Sequence, residues 1–529
     1  MKKFRVILAL VLACLFVFTA CKSGSNIPVS VSTKNDVTAE ILNSSDKPVN
    51  KRFEAIKNFN YNDFKMHYDI NLELSDNFGA FVEDTFDTNG VADALEMIGL
   101  KNAGLCFDGN IKDSLANLAV YALVNNTNVA EASALFDIGG ETLYFSVPTL
   151  NDKSVGVDLS GLLSEIDSES IALIYNSFWD YYLALIDFYS KYDEERLSAI
   201  FMPYAETILE IVGKDAVSTE NEITFAGKKR LVTSVYMEID ESDALEVCLA
   251  VLKQLRDDEN VKVVIKDFEP VYGAICTYVE SMGEELSLDY DEDEIYNAFI
   301  EVVDAAIAEL EETEVESDGE YLELIIDYID GKFAGFILGE SDNDLYSLID
   351  VDFLNDNGNV EFNLWITHCF LLNVNGTEED GVFNGVAEFF VIENPQKPIS
   401  FKINIEDFYL SEDGTSGKGA LSFYGDSFEG VNYIPENLGF RISFDQPDLF
   451  ESSVTIDVLN NREPVASLEI SGSMSEGADN IEVPASYIDM ESDEEFEAWI
   501  MEVYGNVSVI LENLVNAGIN ESLISMMLM

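Results

Sequence analysis

Apolar and polar residues alternate strictly from His67 to Leu74 (HYDINLEL), the period of a strand with one face turned from water. The same period returns between 116 and 159 in four short runs, NLAVYALV, ASALFDI, ETLYFSV and SVGVDL. Gly139-Gly140 and the Asn151-Asp152 step supply turn chemistry between them, so the runs predict an antiparallel meander. From Asp167 to Val212 the period becomes helical, with Asp167 and Ser168 as capping residues and Gly213 as the stop. Within that block SFWDYYLALIDFYSKY is apolar nearly all round, which predicts burial between other elements.

Strands are expected again at ITFAGKKRLVTSVYMEI, then a helix capped by Ser242 with a stripe of Ala244, Leu245, Cys248, Val251, Leu252 and Leu255. VKVVIKDF reads as a further strand, and a second amphipathic helix is expected from about Asp293 to Leu310. After about Glu316 the pattern is almost continuously strand-like. YLELIIDYIDGKFAGFIL places Asp330-Gly331 between two apolar runs, a strong hairpin signal. A closing helix is expected from Ser492-Asp493-Glu494-Glu495, a capping-box pattern, with Phe496, Trp499, Ile500 and Val503 on its stripe and Gly518 at its end. The apolar tail ESLISMMLM is expected to dock on the core. These patterns predict an α+β fold of one or more large curved antiparallel sheets packed with amphipathic helices, the C-terminal part strand-rich. The change of character divides the body into 51–315 and 316–529.

Composition narrows the partners. The chain has 529 residues, 47% of them hydrophobic, enough to bury real cores. Its 29 Lys and Arg against 100 Asp and Glu give a formal charge of −71, which excludes a nucleic-acid partner because phosphate binding needs cationic side chains. At the N-terminus Lys2, Lys3 and Arg5 precede an apolar stretch from Val6 to Phe18, then Thr19-Ala20-Cys21. This is the layout of an export signal over 1–20, too short to span a bilayer. Residues 21–50 are rich in Ser, Thr, Asn and Pro and read as a tether.

Candidate chemistry is sparse. His67 and His368 are the two histidines, each in an alternating run, and read as structural. No HExxH, GxSxG, GxxxxGK[ST] or GxGxxG pattern occurs, so no catalytic residue, cofactor or metal ligand is assigned. Among 100 acidic residues no pair stands out as a glycosidase couple. The acidic run Asp289–Glu294 is expected to be the first turn of its helix, and Asp356-Asn357-Gly358 a hairpin turn rather than a calcium loop. Cys106, Cys248, Cys276 and Cys369 are expected to be buried free thiols.

The sequence Thr19-Ala20-Cys21 after its apolar run resembles the lipobox of bacterial lipoproteins, which implies acylation of Cys21 and an extracytoplasmic protein anchored to the cell membrane. YFSVPTLNDKSVGVDLSGLL and YLELIIDYIDGKFAGFIL are similar to segments of acidic lipoproteins of Clostridia, a family that brings no activity with it. The order of elements is more distantly similar to LolA/LppX-type lipid carriers, in which helices close a curved sheet over an apolar cavity. The expected role is non-catalytic binding or scaffolding, with a surface protein as partner. The alternative is a carrier or sensor of an apolar ligand, held between sheet and helices by Phe178, Trp179, Tyr182 and Phe188.

Overall fold

The computed structural model describes residues 55–56, 58–160, 168–192, 194–225, 228–283, 294–313, 321–329, 332–342, 344–356, 358–366, 370–391, 399–411, 415–429 and 435–527. The expected signal, Cys21 and the tether lie outside the described residues, as do His368, Cys369 and all of the acidic run but Glu294.

Strand β1 (Asp63–Leu74) is followed by helices α1 (Phe78–Phe86) and α2 (Val91–Ile98). A meander of β2 (Asn102–Lys112), β3 (Leu115–Val124), β4 (Thr127–Asp137), β5 (Thr142–Val147) and β6 (Asn151–Asp158) comes next. Helices α3 (Ser168–Ser190) and α4 (Glu194–Val212) lead to β7 (Val217–Phe225) and β8 (Lys228–Ile239). Three helices follow: α5 (Glu241–Asp257), α6 (Glu259–Ser281) and α7 (Glu294–Glu311). Then come β9 (Leu322–Ile329), β10 (Lys332–Asp342), β11 (Asp344–Asp356), β12 (Asn359–Ile366), β13 (Phe370–Glu379) and β14 (Val382–Val391). Strands β15 (Ile399–Leu410), β16 (Gly417–Tyr424), β17 (Phe428–Glu429), β18 (Leu438–Asp448), β19 (Glu451–Asn460), β20 (Glu463–Glu476) and β21 (Ile488–Asp489) precede α8 (Asp493–Gly505), α9 (Val507–Asn516) and α10 (Glu521–Met527). The fold is α+β, its sheet structure large, curved and mostly antiparallel.

Two compact units result. A central unit holds Ala172–Glu379 and Val386–Pro398; a terminal unit holds Asn58–Ile171, Asp380–Gly385 and Ile399–Met529. The division expected at 315/316 followed local strand content. The units follow strand pairing instead, which joins β1 near the start of the chain to β20 near its end.

In the central unit β7, β8, β9, β10, β11, β12 and β13 pair in that order, each antiparallel to the next. One face carries the core. Met237 lies opposite Leu324 and Leu324 opposite Leu338, and all three are buried. Ile208, Ile211 and Val212 of α4 and Ala244 and Val247 of α5 pack against them. Each such side chain contributes roughly 1.5–3 kcal/mol by leaving water. Gly213 stops α4 as expected, its amide donating to Leu209 at 2.9 Å.

In the terminal unit the order is β15, β16, β18, β19, β20, β1, β2, β3, β4, β5, β6 and β21, antiparallel throughout except for the β6–β21 pair. Alternation in β1 sends Met66, Tyr68, Ile70 and Leu72 to one face and Lys65, His67, Asp69 and Asn71 to the other. Tyr487 lies against Gly156, where any Cβ would come within 2.3 Å of its ring, and meets Tyr144 edge-on at 5.2 Å. The C-terminal helices are tied down by polar side chains: Asn506 donates to Leu150 at 2.7 Å and Asn513 to Val129 at 3.2 Å. The tail docks, with Ile524 buried and the Asn520 amide donating to Ile98 at 3.1 Å.

Several local expectations are corrected. VKVVIKDF is not a strand but the start of α6, capped by Asp258, whose side chain accepts from Asn260 at 2.8 Å. Its β-branched residues mimic a strand over eight positions. Val261, Val264, Ile265 and Phe268 nonetheless hold helical spacing, and the spacing continues to Val271 and Cys276. Helix α5 begins at Asp240 rather than Ser242, through a reciprocal capping box with Asp243. The box expected at Ser492 does not form, although α8 starts there, and the closing helix breaks at Gly505 into α8 and α9 before Gly518. The turn between β5 and β6 falls before Asn151, closed by the Leu150 amide on Val147. The hairpins flanking 330–331 and at Gly358 pair as expected, Ile329 with Lys332 and Asp356 with Asn359.

Candidate functional site

Register brings four chemically active side chains together on the polar face of the terminal unit's sheet. His67 of β1 lies opposite Asp108 of β2, and Asp69 lies opposite Cys106. Residues two apart on a strand share a face, so the paired alternations His67-x-Asp69 and Cys106-x-Asp108 become one patch. The imidazole is held at both ends. Nδ1 lies 2.6 Å from Oδ1 of Asp108, and Nε2 lies 2.8 Å from Oδ2 of Asp69. The Cys106 Sγ is 3.9 Å from Nδ1.

The electrostatics follow from two carboxylates around one imidazole. The Asp108 carboxylate raises the His67 pKa above its ordinary value, with Asp69 assisting and partial burial opposing. The Cys106 thiol is pushed up to about 12, first by burial and then by Asp69 and Asp108. It is a protonated thiol at neutral pH, without the thiolate that nucleophilic chemistry requires. Burial, with Glu131 and Asp108 beside it, also raises the Tyr121 hydroxyl. A cavity of about 400 Å³ opens beside the cluster, lined by His67 and Asp108 with Lys65, Asn117, Tyr121 and Ser473 among others.

The opposite face of the same sheet is apolar in row after row. One row reads Phe444, Val454, Ile470, Ile70, Leu105 and Ala122; the next reads Leu421, Ile442, Ile456, Leu468, Leu72 and Ala103. Val454, Ile470, Ile70, Leu105, Ile442, Leu72, Tyr68, Leu118 and Phe145 on this face are each 37–44% exposed. Antiparallel sheets commonly turn their polar face to water and bury the other. Here the apolar face is half open.

The four aromatic residues expected to line a ligand cavity lie on α3 in the central unit. Phe178, Trp179 and Tyr182 come together, with Trp179 and Tyr182 edge-on at 5.4 Å and Phe178 meeting Tyr278 of α6 at 5.7 Å. Phe188 sits in a second cluster with Tyr192 at 4.9 Å and Phe268 at 5.4 Å. Each cluster joins α3 to α6. A polar knot adjoins the second: the Tyr192 hydroxyl donates to Asp267 at 2.8 Å, and Lys191 and Arg196 face the same carboxylate at 3.3 and 3.7 Å.

No protein-family model matches the chain, and no curated protein or solved structure is similar to it. Function therefore rests on the site itself.

Read singly, His67 is an ordinary strand histidine. The signal that would have found the cluster is the pair of ligand-type residues at i and i+2 in two neighbouring strands. Recognising it requires β2, a strand the alternation pattern did not single out. Cys106, Cys248 and Cys276 are free thiols, as expected, but of the three Cys276 alone is buried, Cys106 and Cys248 being partly exposed on a sheet face and a helix. Among the described residues no helix is long and apolar enough to cross a membrane.

Proposed function

We propose that this chain is a non-catalytic extracytoplasmic protein, acylated at Cys21 and anchored to the membrane, whose terminal unit binds an apolar, lipid-like ligand. The anchor rests on the lipobox-like sequence. The ligand rests on one observation, the two in-register apolar rows through Ile70 and Leu72 that stay half exposed. Contiguous apolar surface of this kind marks an interaction site, because leaving it in water forgoes roughly 25 cal/mol per Å². The protonated Cys106 thiol and the doubly held imidazole favour binding over turnover. The aromatic clusters of α3 are read as packing between helices, which moves the ligand from Phe178 and its neighbours to the sheet.

Native mass spectrometry of the full chain, purified from a lipid-containing host, tests this. A retained lipid-sized mass is expected, released on denaturation and lost in an Ile70→Asp, Leu105→Asp double variant. A bare chain mass, together with equal binding of an apolar fluorescent probe by wild type and variant, would overturn the apolar-ligand reading.

A further inference from the structure

We propose that His67, Cys106 and Asp108 form a binding site for one divalent transition-metal ion of the zinc class, with Asp69 as the residue that orients the imidazole. The site lies on the polar face of the terminal unit's sheet and does not depend on what the apolar face binds.

Geometry carries the assignment. One ligand atom from each of His67, Cys106 and Asp108 lies within 4.8 Å of the other two. The observed Nδ1–Oδ1 and Sγ–Nδ1 separations of 2.6 and 3.9 Å bracket the roughly 3.3–3.6 Å edges of a tetrahedron built on zinc bond lengths. Small side-chain rotations therefore suffice, and the strands themselves are fixed by ladder pairing on both sides of β1. Asp69 supplies what a metal-bound imidazole requires. Its carboxylate at 2.8 Å keeps the proton on Nε2 and leaves Nδ1 facing Cys106 and Asp108 as the ligand.

The donor set selects the ion. One imidazole nitrogen, one thiolate and one carboxylate suit zinc and its neighbours, whereas calcium takes six to eight oxygens. Three protein ligands leave a fourth position, and the adjoining cavity of about 400 Å³ gives it access to water or a small polar molecule. The exchange balances. The incoming ion displaces the thiol proton of Cys106, which passes to solvent, and takes the Nδ1 lone pair of the imidazole.

Cobalt titration of the chelator-stripped full chain in detergent tests the site. One equivalent is expected to give a thiolate-to-cobalt charge-transfer band, displaced by zinc. Cys106→Ser should abolish the band, and Asp69→Asn should weaken zinc binding about 10-fold or more while leaving one site per chain. His67→Gln, at a half-exposed position, carries the test if Cys106→Ser fails to fold. Weak, unsaturable binding that is equal in wild type and variants would mean screening by surface carboxylates and would overturn the proposal. A band that survives Cys106→Ser would overturn it as well.

Discussion

The side-chain amide of Asn125 donates to the carbonyl of Ala517 at 2.7 Å, tying the β3–β4 turn to a segment 392 residues further along the chain. The same amide donates to Gly99 at 2.9 Å, and its oxygen accepts from Lys101 and Asn102 at 2.8 and 3.2 Å. One residue thus satisfies backbone groups of two segments, Gly99–Asn102 and the one at Ala517. Asn125 also has φ +48°, a conformation asparagine adopts more readily than most residues. Asn125→Ala is expected to cost about 2–4 kcal/mol in urea unfolding, from several lost hydrogen bonds and left-handed strain.

Burial separates apolar residues that look alike in their strand rows. Leu338 is fully buried against Leu324 in the central unit, so Leu338→Ala should cost about 2–5 kcal/mol. Ile70 lies in an equally apolar row but is 37% exposed, and Ile70→Ala should cost about 1 kcal/mol or less. Parallel urea titrations check the contrast. Equal losses would mean that the sheet face in the terminal unit is as closely packed as the central core.

His67 makes the metal-free terminal unit sensitive to pH. Asp108 first, and Asp69 after it, raise the folded-state pKa above the ordinary 6.5. The resulting stabilisation is complete below the unfolded-state value and fades as pH rises through the folded one. The groups facing the ring are Asp69, Asp108 and the protonated Cys106. In the presence of chelator the urea midpoint should fall between pH 6 and pH 8, and His67→Gln should remove that slope. An NMR titration of the His67 ring gives the folded pKa directly.

Asp350 carries the opposite consequence at neutral pH. It lies on the central sheet's other face, and burial, with Asp352 and Asp327 as like-charged neighbours, pushes it up to about 6. An unfolded-state carboxyl ionises near 3.8, so its contribution to folding is most favourable below that value and is lost as pH rises through about 6. Asp350→Asn is therefore expected to raise the thermal midpoint at pH 7.5 and to leave it nearly unchanged at pH 3.

Much of the fold was legible because its signals are local. The alternation of β1, the stop at Gly213 and the Ile329–Lys332 hairpin depend on residues within a turn or a strand of each other. Local signals mislead where eight residues belong to a longer period, as in α6, or where two acceptable caps compete, as at Asp240 and Ser242. The cluster at His67 was not legible because its members come from strands some 40 residues apart and acquire meaning through register. The open apolar face is illegible in the sequence for a related reason. A strand pattern says which residues share a face, but not whether anything covers it.

The placement of β1 between β2 and β20 has a consequence for how the chain is made. Synthesis delivers β1, β2 and β3 first, and that early meander ends in the naked edge of β1. The strand that will cover it, Glu463–Glu476, follows the whole central unit. At roughly 5–20 residues per second, β1 waits about 20–80 s for its second partner. Throughout that interval its unpaired backbone is a template for any stray strand, and Tyr68, Ile70 and Leu72 add apolar adhesion beside it. For that interval the nascent chain exposes the strand that later lies inside the finished sheet.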